Sequence, residues 1–74
     1  MAARRHELAS ELEARRVGLG LTQTEVAARM GTSQSAVARL ESGDADVRLS
    51  TLERYAAALS HELEWSLRPK EEGA

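Results

Sequence analysis

Cysteine is absent from the 74 residues, which excludes a disulfide staple and a thiolate metal site. Proline is absent until Pro69, so nothing before it breaks a helix by removing a backbone donor. No uninterrupted apolar run approaches the ~20 residues of a membrane span. Arg4 and Arg5 are followed by no apolar stretch of the kind a secretory signal carries. The expected setting is the cytoplasm, away from the membrane. No Ser/His/Asp set, phosphate-cradling Gly loop or clustered carboxylate pair occurs. His6 and His61 stand far apart, without a spaced second ligand, so no zinc site is expected. These absences point to a chain that is not an enzyme and uses no metal or cofactor.

A basic excess is also lacking. The net charge is −2, where a nucleic-acid-binding domain is usually basic. The deficit is local, however. Residues 1–60 hold eight arginines and eight acidic residues, whereas residues 61–74 set Arg68 and Lys70 against Glu62, Glu64, Glu71 and Glu72. Binding by counterion release needs a basic face rather than a basic total.

What is present reads as one small domain. A chain this short buries only about 60% of its unfolded surface, and small unstapled proteins often gain stability by oligomerising. A homodimer is therefore expected. Leu8, Leu12 and Val17 give residues 4–17 a helical stripe, ended by Gly18 and Gly20. Thr22 followed by Glu25 is a capping box, opening a helix over 23–30 with Val26, Ala27 and Met30 inward and Gly31 as its stop. Ser33 caps a helix over 34–42, with Ala36, Val37 and Leu40 inward and Gly43 at its end. Ser50 is the expected cap of a fourth helix over 51–59, burying Leu52, Tyr55, Ala56 and Leu59. Beyond Ser60 the period becomes two. Leu63, Trp65 and Leu67 alternate with polar residues until Pro69, which predicts a β-strand over 62–68. A lone strand leaves its backbone groups unpaired, so its simplest partner is the same strand of a second copy. The predicted organisation is an all-α domain of four helices over 1–60, a dimerisation strand with Leu63, Trp65 and Leu67 over 61–68, and a frayed tail over 69–74.

The second and third helices, with the Gly31 turn between them, form a helix-turn-helix pattern. Ala27 lets the two helices cross closely, and Val37 with Leu40 locks the second onto the body. The opposite face, with Gln34, Ser35, Ala38 and Arg39, is small or flexible enough to enter a major groove. Taken alone, such a face would suit any solvated helix.

The segment LTQTEVAARMGTSQSAVARLESG resembles the phage repressor and Cro (XRE) family of helix-turn-helix domains, over about residues 15–59. The continuation DVRLSTLERYAAAL and the alternating segment after it resemble the antitoxin branch. The resemblance implies a lambda repressor-like fold, a dimer on a double-stranded DNA operator that represses its own operon, and a toxin protein as partner. It implies base reading by Gln34, Ser35, Ala38 and Arg39. Thr22 and Gln23 fall where relatives hold a phosphate, joined by Ser33 and Arg48. It also implies a buried ion pair between Arg16 and Glu41, two residues that without it would be unrelated surface charges. One departure stands out. The loop after the third helix has Asp44 and Asp46, with only Arg48 positive, so few phosphate contacts are expected. The alternative is a protein-binding module that mainly neutralises a toxin, with DNA binding secondary; a plain dimerisation scaffold is a third reading.

Overall fold

The computed structural model describes residues 2–43 and 47–64. Asp44, Asp46, the 65–68 half of the expected strand with Trp65 and Leu67, and the 69–74 tail lie outside the described residues. Four helices follow one another: α1 Ala2–Gly18, α2 Gln23–Met30, α3 Gln34–Ser42 and α4 Leu49–Ala58. α1 packs on α3 and α4, and α2 packs on α3 and α4, so the core lies where all four meet. Val26, Val37, Leu52 and Tyr55 are fully enclosed there.

The short helices α2 and α3 have the limits the capping residues predict. Thr22 Oγ accepts from the Glu25 amide at 3.0 Å, and the Glu25 carboxylate accepts from the Thr22 amide at 2.8 Å. At the other end of α2 the chain reverses through Gly31, at φ 71°. The Thr32 amide donates to the Ala27 carbonyl at 2.9 Å and the Gly31 amide to the Ala28 carbonyl at 3.2 Å. This double closure requires a left-handed residue, a conformation that a Cβ makes costly. α4 ends by the same bond pattern on Ser60, at φ 60°, with His61 bonded to Ala56 and Ser60 to Ala57.

Three details differ from the sequence expectation. Val17 is 61% exposed, and Ala9 joins Leu8 and Leu12 in the core instead. At about 100° per residue, position 17 lies ~180° from position 8, whereas position 16 lies within ~80° of it. The inward position at the end of α1 thus belongs to Arg16. Ala36 is exposed, because the buried stripe of α3 runs through Val37, Leu40 and Glu41, and Ala36 lies ~100° from Val37. α4 begins at Leu49, with Arg48 rather than Ser50 as its N-cap and no side-chain bond closing it. The Arg48 carbonyl already accepts from the Thr51 and Leu52 amides, which leaves Ser50 inside the first turn.

Two arginines tie α2 to α4 at their C-terminal ends. Arg29 Nη1 donates to the Ala58 carbonyl at 2.9 Å, and Arg54 donates to the Met30 carbonyl. Each places a positive charge on carbonyls that the partner helix leaves open. Residues 61–64 have no regular secondary structure in the single chain, and the Leu63 side chain packs against the core. No helix of the described residues is long and apolar enough to cross a membrane.

Candidate nucleic-acid interface

α3 has two chemically distinct sides. Val37, Leu40 and Glu41 are buried; Gln34, Ser35 and Arg39 are exposed, and Ala38 lies between, half-buried. The exposed side begins at the helix N-terminus, where Ser33 Oγ accepts from the Ala36 amide at 3.1 Å and lies 3.2 Å from Ser35 Oγ. Thr22 and Ser33 are therefore occupied as acceptors by their own caps, and Ser33 and Ser35 share one further hydroxyl bond. Arg39 and Arg48 are exposed, with no side-chain hydrogen bond or ion pair among the described residues.

The face is held from beneath by a polar cluster. Arg16 grips Glu41 with two donors, Nε to Oε2 at 2.7 Å and Nη2 to Oε1 at 3.1 Å. Its remaining Nη1 donates to the Leu21 carbonyl at 2.7 Å, which fastens the α1–α2 turn to the same group. The side chains of Arg16 and Glu41 are 11% and 3% exposed, so water screens the pair weakly. Tyr55 donates its hydroxyl proton to Glu41 Oε2 from the core. Gln23 Nε2 donates to Glu41 Oε1 at 2.8 Å. Gln34 Nε2 then donates to Gln23 Oε1 at 2.6 Å, carrying the chain of bonds out to the exposed face.

The electrostatics follow from this arrangement. Burial alone would push the Glu41 carboxyl up, but the bonds from Arg16, Tyr55 and Gln23 and the Arg16 charge together hold it below the usual carboxylate range. The bond to Glu41 holds the Arg16 guanidinium above its already high value. Burial, and then the Glu41 acceptor, push the Tyr55 phenol up, so it stays a donor. Among the described residues, no buried polar side-chain atom lacks a partner.

Among the residues singled out in the sequence, the structure brings together Arg16 with Glu41, Gln23 with Gln34, and Ser33 with Ser35. It leaves Arg39 and Arg48 apart from these bonds. Leu63 is half-buried and lines a pocket with Leu8 and Leu12 of α1 and Ala56 of α4. Sequence reasoning took Tyr55 for a packing residue only. The available signal was its isolation: a single tyrosine on an otherwise aliphatic stripe must find a partner for its hydroxyl. The described residues contain no group of His, Cys, Asp or Glu placed to hold a metal ion.

Comparison with known proteins fits this geometry. Over 43 residues the chain is 51% identical to Antitoxin HigA1 of Mycobacterium tuberculosis, which covers 58% of this chain and 29% of that protein. Over 58 residues it is 48% identical to the Putative antitoxin HigA3 of the same organism, covering 76% of this chain and 53% of that one. The chain thus spans about half, or less, of the length of these relatives. The helix-turn-helix family pattern matches residues 12–65, from the inward face of α1 through all of α2, α3 and α4. With that match over most of its length, the chain belongs to the helix-turn-helix family.

Proposed function

We propose that this chain is a sequence-specific DNA-binding regulator, not an enzyme, which acts as a homodimer and represses its own operon as the antitoxin of a toxin–antitoxin pair. The observation that carries the reading is the exposed Gln34–Arg39 side of α3, held rigidly from below by the Arg16–Glu41 bridge. A recognition face must be fixed in position before binding, because ordering it on contact would subtract from affinity.

In this reading α3 lies in the major groove. Gln34 meets an adenine edge, Arg39 a guanine O6 and N7, Ser35 either purine, and the Ala38 methyl a thymine methyl. The hydroxyls of Thr22 and Ser33 and the Gln23 amide meet phosphates at the N-termini of α2 and α3, where the helix dipole favours an anion. Arg48 adds a charged phosphate contact. Residues 1–60 form the DNA-binding part. The strand over 62–68, with Leu63, Trp65 and Leu67, pairs two copies, so that two recognition helices meet half-sites about one helical turn apart.

Fluorescence anisotropy against duplex DNA from the chain's own promoter, with scrambled duplex as control, tests the reading at physiological salt. Tight binding to the promoter alone is expected. Equal, weak binding to both duplexes sinks it in favour of the second reading, a module that chiefly masks a toxin. The names of the two relatives, an antitoxin and a putative antitoxin, support the toxin partner that both readings share, and the binding titration is what separates them.

A further inference from the structure

We infer that Arg29 and Arg54 form a carboxylate site on each copy of the chain, filled in the homodimer by Glu71 of the other copy. The inference rests on the proposed pairing of the 62–68 strands.

The two arginines line an open pocket with Met30, Ala57, Ala58 and Ser60, at the C-terminal ends of α2 and α4. Among the described residues no acidic side chain lines it, and neither guanidinium makes an ion pair. Glu25, one turn before Arg29, is committed to the Thr22 cap. Each guanidinium is nevertheless held, by one bond to a carbonyl of the other helix. A guanidinium has five N–H donors, so most of them remain to be offered. Two such cations on one pocket fit an oxyanion, and little ordering is left to oppose its binding. A DNA phosphate is the poorer fit. The phosphate contacts proposed above begin at the N-terminus of α2, and this pocket lies at its other end, ~12 Å away across eight residues.

Strand register brings Glu71 to the site. Residues 1–60 balance their charges, and the acidic excess lies in 61–74. Antiparallel pairing centred on Trp65 sets Leu63 against Leu67 and Glu62 against Arg68, apolar against apolar and acid against base. Centring on Glu64 would set that carboxylate against its own copy. Centring on Ser66 would bring Pro69, which has no N–H, into the ladder. With Trp65 at the centre, Glu71 comes level with Leu59 of the other copy. The direction of the chain fits. Residues 61–64 leave Ser60, at the edge of the arginine pocket, and run to the pocket they share with Leu8 and Leu12 of α1. An antiparallel neighbour runs back toward Ser60, and its Glu71 lies three residues, ~10 Å, beyond Arg68. The side fits as well. Leu63 packs on the core, and odd-numbered residues of an extended chain share its face. Glu71 thus points at the body of the other copy, while Lys70 and Glu72 point away.

The test uses the full chain and compares the wild type with Glu71→Gln and Glu72→Gln, both outside the folded core. Sedimentation equilibrium should give a dimer dissociation constant about tenfold higher for Glu71→Gln and nearly unchanged for Glu72→Gln, with the difference fading in high salt. At concentrations where every protein is dimeric, the Arg29 and Arg54 Nε–H signals in the nitrogen–proton NMR spectrum should move in Glu71→Gln alone. An unchanged dissociation constant overturns the inference, and if the arginine signals still move, the tail lies on its own chain. Equal weakening by both substitutions, with the arginine signals in place, overturns it in favour of diffuse tail charge. Arg29→Gln weakening DNA binding while leaving the dimer intact assigns the pocket to a phosphate and also overturns it. A wild type that is monomeric at every concentration overturns the strand pairing itself, and the inference with it.

Discussion

Glu41 is the residue on which Arg16, Gln23 and Tyr55 converge. Replacing it with alanine leaves the Arg16 guanidinium nearly enclosed without a counter-charge and the buried Tyr55 hydroxyl without an acceptor. Removing one partner of a buried pair costs about 3–5 kcal/mol, a large part of the total stability of a domain this size. Urea denaturation of Glu41→Ala should show that loss, most of it in the midpoint. The same group sets a response to acid. Its folded carboxyl titrates below the ordinary value of about 4.3, so its contribution is complete above that pH. That contribution disappears as pH falls through the lower folded value. Melting temperature should therefore drop more steeply below about pH 4 in the wild type than in Glu41→Ala. Arg39 has the opposite character, exposed and with no side-chain bond among the described residues. Arg39→Ala should leave the melting temperature within a degree or two while weakening specific DNA binding by about 1–3 kcal/mol in the anisotropy titration.

At the scale of elements, the helix ends decide the fold. α2 and α3 were legible in the sequence because each is bounded by residues with one strong local preference: Thr22 and Glu25, Gly31, Ser33, Gly43. The start of α4 was not, because Arg48 offers no side-chain cap and the helix begins on the strength of packing alone. The same reasoning predicts a stabilising change. Ser60 ends α4 in a left-handed conformation that a Cβ makes unfavourable. Ser60→Gly should raise stability by about 0.5–1 kcal/mol, once the extra freedom of glycine in the unfolded chain is allowed for. Thermal unfolding of the two proteins side by side checks this; an unchanged or lower midpoint shows that Ser60 is not strained. The crossed bonds of Arg29 and Arg54 belong to this scale as well. Two arginines at unremarkable surface positions each close the other helix's end, and only the packing of α2 on α4 brings them within reach.

At the scale of the molecule, the proposed pairing brings in a second copy. The alternation of Leu63, Trp65 and Leu67 is a property of the sequence, and in the single chain residues 61–64 run without a ladder partner while Leu63 rests on the core. A strand that pairs only with itself has no reason to form in one copy. Deleting residues from Glu62 onward should give a folded monomer by sedimentation, with helicity retained and affinity for the full operator lost. A truncated chain that still sediments as a dimer would mean that the contact lies on the helices instead.

The amino-acid sequence by itself determined what depends on near neighbours. Helix number, the limits of α2 and α3, the glycine turn and the exposure of Gln34, Ser35 and Arg39 all follow from caps and from a period of 3.6 residues. Family resemblance pointed to Arg16 and Glu41 as partners, although no local rule links residues 25 positions apart. Only the tertiary structure decided that Tyr55 would join them, that Val17 and Ala36 would face outward, and that a chain of bonds would run from the core to Gln34. The physical reason is directionality. Hydrophobic burial asks only that a face be apolar, which a pattern can announce, whereas a hydrogen bond needs two atoms within ~3 Å at a set angle. Which atoms meet that condition depends on how the four helices cross.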